Sequence, residues 1–220
     1  MASLRPSIVL DVGMTGEGLS ACLPVLSSLG TGLIKSPAAG VEAVWQALCK
    51  RGRRALIDRR ETAYVRHAGD GVPSLRAGQA GVLRSAKESD LDDLVEAARA
   101  SLREEDRPDP FEGDPVGFRC WVRGRVPRAR LVAEDGKPTF VGYADVRRPE
   151  GWLVQGVYTW PAHRRRGYAR IGMAGLLAEA FAAGADHVQL AVVAGNVPAL
   201  RLYEGLGFEP FCELRTILFL

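Results

Sequence analysis

The segment on which the prediction of the fold rests is Gly156-Val157-Tyr158-Thr159-Trp160-Pro161-Ala162-His163-Arg164-Arg165-Arg166-Gly167-Tyr168-Ala169. It begins as an apolar, strand-forming run, breaks at Pro161, passes through a basic turn and opens an apolar helix that reaches about Ala183. Such a turn suits a bound pyrophosphate, because free backbone N–H groups, the helix dipole and guanidinium groups all attract an anion. Taken alone, the segment is equally compatible with a solvated basic loop before a core helix.

The residues on either side of this segment predict alternating strands and helices. Before it, three strands are expected, with Asp135-Gly136 as a hairpin turn and Gly156 as a bulge or a place of close ligand approach. After it, the apolar helix ends at Gly184, and a buried strand follows. Asn196 then caps a short helix, and the chain closes with one or two further strands. The expected strands cover residues 130–134, 139–147, 152–159, 188–193 and 208–220.

The N-terminal part of the chain predicts a small α/β domain of unknown role. An apolar run at Ser7–Val12 predicts a strand, and Gly13–Gly18 predicts a plain turn. Ser36-Pro37 predicts a helix N-terminus, with Ser36 as the cap. A stretch rich in glycine around Pro73 is typical of a linker, so the boundary is expected near Gln79. The predicted domains are therefore residues 1–78 and 79–220.

Composition excludes several classes of function. The net charge of +3 is too small to indicate nucleic acid or a membrane surface as the main partner. The cysteines are far apart and the histidines have no metal-ligand spacing, so no metal site or disulfide framework is expected. No apolar stretch approaches the roughly 18 residues that span a bilayer. These features predict a cytoplasmic protein with no membrane association.

Two motifs resemble those of the GNAT N-acetyltransferase superfamily. Arg164–Ala169 fits the family pattern Gln/Arg-x-x-Gly-x-Gly/Ala, and a second segment reads Asn196-x-x-Ala199-x-x-Leu202-Tyr203-x-x-x-Gly207-Phe208. Both occur in the family's order and spacing within residues 79–220. The resemblance implies an α/β (α+β) fold with a mixed central sheet flanked by helices. The preceding N-terminal domain is similar in arrangement to that of some two-part bacterial GNAT proteins.

The resemblance also implies acetyl-CoA as the acyl donor. In that mapping, the strand backbone at Val157, Tyr158 and Thr159 pairs with the pantetheine arm. The turn at Arg164, Arg165, Arg166, Gly167, Tyr168 and Ala169 holds the pyrophosphate. Asn196 contacts the coenzyme arm, although a helix cap alone is the alternative.

Tyr203 is the candidate catalytic residue that the second motif implies. A phenol can protonate the thiolate that leaves when an amine attacks the thioester, provided that it is positioned and supported. A core aromatic residue is the alternative. Relatives often carry an acidic general base on the strand before the coenzyme loop, where this chain has Gln155. Asp145 and Glu150 are the nearest acids in sequence, and neither is favoured over a water chain or an acceptor that arrives deprotonated.

The sequence thus predicts an acetyl-CoA-dependent N-acetyltransferase that acts on a primary amine of unknown identity, in a small molecule or a protein. The alternative is a weakly active or inactive acyl-CoA-binding module that serves as a regulatory or partner-docking protein. The acceptor cleft is expected within Leu91–Val126. The oligomeric state stays open, a homodimer being one alternative.

Overall fold

The computed structural model describes residues 7–10, 13–74 and 82–220. The predicted domain boundary near Gln79 lies outside these residues and stays a prediction. In chain order, the helices and strands are β1 Ser7–Ile8, α1 Gly16–Leu26, β2 Gly32–Pro37, α2 Ala38–Cys49, β3 Ala55–His67, β4 Arg84–Ser85, α3 Leu91–Glu104, α4 Pro115–Arg123, β5 Ala129–Glu134, β6 Lys137–Arg148, β7 Gly151–Thr159, α5 Tyr168–Ala182, β8 His187–Val193, α6 Val197–Gly205 and β9 Glu209–Phe219.

The chain forms two compact units, and each is assembled from separate stretches. The first contains Met1–Ala63, Ala191–Asn196 and Pro210–Leu220, and the second contains Tyr64–Leu190 and Val197–Glu209. Residues near the C-terminus therefore pack with the N-terminal strands, while the end of β3 belongs with the second unit. The sequence pattern did not predict that the C-terminal strand belongs to the first unit.

In the first unit, the strand order is β1-β2-β9-β3, with β1 and β2 parallel and β2 and β9 antiparallel. Val41, Val44 and Leu48 recur at helical spacing in α2 and are fully buried. They pack in one core cluster with Ile34 of β2 and with Ile217 and Phe219 of β9. The last strand therefore contributes to a core that the N-terminal helices complete.

Two expectations for this unit were wrong. Residues 13–18 do not form only a turn, since α1 begins at Gly16 and the Thr15 side chain accepts a hydrogen bond from Gly18 N at 3.1 Å. Ser36 does not cap α2, because it lies in β2 and its hydroxyl accepts a hydrogen bond from Leu10 N at 2.7 Å. The Ser36 hydroxyl, which the local pattern assigned to the helix, therefore accepts from a residue just after β1 that lies 26 positions away in sequence.

In the second unit, the strand order is β8-β7-β6-β5-β4. The β4–β5, β5–β6 and β6–β7 pairs are antiparallel and the β7–β8 pair is parallel. The predicted Asp135-Gly136 turn joins β5 to β6, and both residues have the positive φ that a two-residue hairpin turn requires. Together with the helices, these strands confirm the predicted α/β class and its mixed sheet.

Helices cover both faces of the strands in the second unit. Val141 and Tyr143 of β6 join a core cluster with buried residues of α3 and α4. Phe140 and Gly142 point to the opposite face, because side chains alternate along a strand. There a Cβ on Gly172 of α5 would stand 2.1 Å from the Phe140 ring. Gly172 therefore permits the close packing of α5 on β6 that fixes the start of that helix.

Candidate functional site

The β7 strand bends at Gly156 and, among the described residues, is no longer paired with β8 beyond Leu153. Its parallel ladder with β8 covers two residue pairs, Trp152↔Val188 and Leu153↔Gln189. Gly156 has φ +57°, and the β6–β7 register shifts beside it, which makes the predicted bulge. Among the described residues, Gln155–Thr159 therefore pairs with β6 alone. An extended ligand could add to the other edge of this strand segment.

The turn between β7 and α5 presents unpaired backbone donors. Arg165 and Gly167 have φ of 63° and 89°, and α5 begins at Tyr168. Within the part of the chain that the structure describes, no backbone amide from Arg165 to Ala169 donates a hydrogen bond. These amides lie at the positive end of the α5 dipole. The turn therefore has the local chemistry of an anion site.

The three arginines of this turn differ in their partners. Nη2 of Arg164 donates to both carboxylate oxygens of Glu104 at 2.8 Å, and its Nε donates to Thr159 O at 2.9 Å. Nη2 of Arg166 donates to Glu134 Oε1 at 2.8 Å. Arg165 is exposed and has no ion-pair partner within the described ranges. Only Arg165 thus carries an uncompensated charge at the turn.

Glu134 binds three side chains of the turn. Besides Arg166, it accepts a short hydrogen bond from the Tyr168 hydroxyl, and His163 Nδ1 lies 3.5 Å from its second oxygen. The Tyr168 hydrogen bond is the main cause that lowers the pKa of the Glu134 carboxyl, and the Arg166 charge acts in the same direction. The same hydrogen bond raises the pKa of the Tyr168 phenol. Glu134 is therefore ionised and Tyr168 protonated at neutral pH.

Tyr203 lies buried in the last turn of α6. Its carbonyl accepts hydrogen bonds from Leu206 N and Phe208 N, each at 3.0 Å, and its ring meets that of Phe208 edge to face. Burial is the main cause that raises the pKa of the Tyr203 phenol, and the negative charge of Glu105 adds to it. The phenol is consequently a proton donor, and not a phenolate, at any ordinary pH.

Two arginines hold the end of α6. Arg66 Nη1 donates to Gly207 O at 3.0 Å, and Arg170 Nη1 donates to Gly205 O at 2.7 Å. Cations at the C-terminus of a helix are favoured by its dipole. Since Arg170 lies in the first turn of α5, this contact joins the helix that follows the basic turn to the helix that carries Tyr203. The two motifs thus meet through Arg170.

Asn196 directly precedes α6 and is exposed. Its backbone amide donates to Val193 O at 3.1 Å, and it belongs to the first compact unit. Its predicted contact with the coenzyme arm stays a prediction.

On the α3–α4 side of the bulge lies a small polar cluster. Gln155 is exposed and pairs in register with buried Tyr143. Arg125 stacks on the Tyr143 ring at 4.0 Å and donates from Nη2 to Asp145 Oδ2 at 2.7 Å. The same Nη2 atom lies 3.4 Å from where a Cβ on Gly156 would stand. Asp145 therefore belongs to the bulge region, whereas Glu150 lies in the turn at the other end of the β6–β7 hairpin.

The region expected to hold the acceptor contains a cavity of about 370 Å³ at the end of α3. Its lining residues are Arg99, Leu102, Arg103, Arg107, Pro108, Asp109 and Glu112. Arg99 is paired with Asp109 at 3.4 Å. The lining thus mixes both signs of charge and selects no single acceptor class.

Sequence reasoning missed Glu104, Glu134, Arg125, Arg66 and Arg170. Glu134 has a sequence signal, because it directly precedes the predicted Asp135-Gly136 turn. The structure brings that end of the hairpin to the basic turn. The others carry no motif, since each meets its partner through tertiary packing. In the described ranges, no group of three or more His, Cys, Asp or Glu side chains could hold a metal ion. No helix within those ranges has the length and apolar character to cross a membrane.

Comparison with protein families agrees with this geometry. A family model described as the acetyltransferase (GNAT) family matches residues 91–208, which include the basic turn, α6 and Tyr203. No curated protein matches the sequence significantly.

Solved structures show the same fold at low sequence identity. A GNAT-family acetyltransferase of Novosphingobium aromaticivorans is 22% identical with a TM-score of 0.60, over 90% of this chain and 78% of its own. A Drosophila protein is 16% identical with a TM-score of 0.69, over 96% and 70%. A GCN5-related N-acetyltransferase of Sphaerobacter thermophilus is 16% identical with a TM-score of 0.64, over 96% and 71%. At these identities, the likeness concerns the fold alone.

Proposed function

Because the chain belongs to the GNAT acetyltransferase family, whose members use acetyl-CoA, we propose that it transfers an acetyl group from acetyl-CoA to a primary amine. The observation that carries the proposal is the continuity of the donor side. Among the described residues, the β7 edge beyond Leu153 has no pairing with β8, and it leads directly into the amides of Arg165–Ala169, which have no hydrogen-bond partner there. A pantetheine arm on that edge would bring its diphosphate to those amides.

In this proposal, the backbone of Val157–Thr159 pairs with the pantetheine amides. The amides of Arg165–Ala169 and the free guanidinium of Arg165 hold the diphosphate. Gly167 allows the left-handed turn that aims these amides outwards. Asn196 is proposed to contact the coenzyme arm from the start of α6.

Tyr203 is the proposed general acid. The amine nitrogen attacks the thioester carbon, the C–N bond forms, and the C–S bond breaks as the tetrahedral intermediate collapses. The leaving thiolate takes the phenolic proton of Tyr203. The amine nitrogen loses one proton as the amide forms, and that proton returns to the Tyr203 phenolate through solvent. Tyr203 is buried and protonated, as a proton donor must be, but burial also raises the pKa of the phenol and makes it a weaker acid, so the role rests on the second motif.

Asp145 is the carboxylate that we propose for the acceptor side. Its Oδ1 atom is buried and, among the described residues, has no hydrogen-bond partner, although Arg128 Nη1 lies 3.7 Å away. A buried acceptor without a donor is uncommon and often marks a functional group. A water between Asp145 and the acceptor would let the carboxylate take up the amine proton.

A second candidate function is an acyl-CoA-binding module that docks a partner and turns over slowly or not at all. Gln155 favours it, because this exposed position on β7 offers no carboxylate to the acceptor.

The free cysteines, three of them exposed, are consistent with the cytoplasmic location that we also propose. A bacterial origin and a homodimer stay predictions.

The two functions are separated by measuring thiol release from acetyl-CoA with a panel of small amines and amine-bearing peptides. The enzyme reading predicts turnover with at least one acceptor. It also predicts that Tyr203→Phe lowers kcat by about 100-fold or more, with unchanged coenzyme affinity. Tight coenzyme binding without turnover on any amine would favour the binding module.

A further inference from the structure

Two glutamates outside both motifs hold the arginines that flank the basic turn. Glu104 ends α3 and binds Arg164, while Glu134 ends β5 and binds Arg166. The two carboxylates therefore come from two different elements, α3 and β5.

Glu134 spans the part of the turn with the unusual backbone. Its contacts reach His163, Arg166 and Tyr168, and these residues bracket both left-handed residues, Arg165 and Gly167. A non-glycine residue at φ 63° is uncommon and persists only where its surroundings hold it. The amides between them make no hydrogen bonds within the described chain, and the Gly167 carbonyl accepts one from Ile171 N at 3.1 Å, so side chains add to a small backbone support.

Glu104 ties the beginning of the turn to the end of β7. It accepts from Arg164, whose Nε also donates to Thr159 O, and from the Tyr158 hydroxyl at 3.2 Å. Arg164 further lies over the Tyr158 ring, 5.4 Å from its centre. This network fixes the entry of the turn as Glu134 fixes its exit.

We propose that Glu104 and Glu134 are positioning residues of the coenzyme site. They bind Arg164 and Arg166 so that the turn presents its backbone amides and Arg165 to the diphosphate. The inference rests on the proposed function, and it gives the flanking arginines a supporting role in place of direct phosphate contact. A guanidinium whose charge is balanced by a nearby carboxylate attracts a second anion less strongly.

A double-mutant cycle on CoA affinity tests the role of Glu134. We expect Glu134→Gln and Arg166→Met each to weaken calorimetric binding of CoA by about 10-fold. The double variant should bind no more weakly than Glu134→Gln alone, since the proposed role of Arg166 depends on its bond to Glu134. Additive losses, or tighter binding by Glu134→Gln, would overturn the proposal, because Arg166 would then contact phosphate itself. Glu96→Gln on the exposed face of α3 controls for the loss of a negative charge.

The second measurement needs no coenzyme. We expect backbone ¹⁵N order parameters at Arg165–Ala169 to fall in Glu134→Gln and Glu104→Gln, with unchanged unfolding temperature. Unchanged order parameters in both variants would overturn the proposal. If the wild-type protein failed to bind CoA while its turn loosened in these variants, the support by the glutamates would stand and the proposed function would fall.

Discussion

The basic turn before α5 and the C-terminal end of α6 are both built from arginines and left-handed glycines, but they are held in different ways. At the basic turn, Arg164 and Arg166 reach carboxylates near the surface, and Gly167 allows the turn. At the end of α6, Arg66 and Arg170 reach backbone carbonyls and have buried Nε atoms. A Cβ on Gly207 would stand 2.1 Å from the Arg66 guanidinium.

The basic turn is therefore suited to bind a ligand, whereas the end of α6 supports the position of Tyr203. The basic turn leaves its amides open and uses side chains to keep its shape, as a ligand site requires. At the end of α6, the Nη1 atoms of Arg66 and Arg170 donate to backbone carbonyls and hold the turn that carries Tyr203. We therefore expect substitutions at the turn to change coenzyme affinity, and those at the α6 end to change stability or kcat.

The largest expected effect is that of removing residues 1–78, which deletes the Arg66 support of α6. The fragment 79–220 also exposes Ile217 and Phe219, which are fully buried against N-terminal residues. Each such side chain contributes about 1.5–3 kcal/mol when buried. We expect no cooperative thermal unfolding transition in calorimetry. A fragment that unfolds cooperatively near the full-length temperature would support an independent domain from residue 79.

Alanine substitutions at Gly207 and Gly167 should affect stability and coenzyme affinity, respectively. Gly207→Ala places a side chain at φ +77° against Arg66, so we expect the free energy of unfolding to fall by about 2–3 kcal/mol. Gly167→Ala, at φ +89°, should cost about 1 kcal/mol and weaken CoA binding instead. Urea unfolding and calorimetric titration of both variants measure these effects. If the two variants lost the same amount of stability and of CoA affinity, the two regions would not divide these roles.

Much of the second unit was predictable because its signals are local. The Asp135-Gly136 turn, the bulge at Gly156 and the apolar length of α5 all depend on residues next to one another. For the end of α6, the sequence predicted only that a glycine terminates the helix. Its support by Arg66 was not predicted, because that residue lies 141 positions earlier in the chain.

The first unit was harder to predict, since tertiary packing overrode local preference. Glycines at 16 and 18 and Pro24 argue against a helix, yet α1 forms across them, with Leu19, Leu23 and Leu26 packed on the core. At the site, the amides of the basic turn follow from its motif. Glu104 has no such signal, because only the packing of α3 brings it to Arg164.

A smaller effect is expected from Arg170→Met, which removes the contact between α5 and Gly205 O. Because Tyr203 lies two residues before Gly205, we expect kcat for an active acceptor to fall about 10-fold with little change in KM for acetyl-CoA. Arg201→Met on the exposed side of α6 is the matched control. A change confined to KM would place Arg170 with the coenzyme site instead.

The smallest effect concerns acid pH at Glu134. The Tyr168 hydrogen bond, with help from Arg166, holds the pKa of this carboxyl below its ordinary value of 4.5. A lowered pKa means that the contribution is fully present above the ordinary value and is lost as pH falls through the lowered one. We expect ¹⁵N order parameters of the turn to be constant between pH 7 and 5 and to fall only at pH values below 4.5. Loss of order already at pH 6 would contradict this role of the Glu134 carboxylate.

The central claim is that the turn from Arg165 to Ala169 binds the diphosphate of acetyl-CoA. Calorimetric titration of CoA into the wild-type protein and into Gly167→Val tests it most directly. We predict saturable one-site binding by the wild type and at least about 100-fold weaker binding by the variant, which is about 2.7 kcal/mol. Circular dichroism of the variant should remain that of the wild type. Equal affinity of the two proteins for CoA, with both folded, would contradict the account.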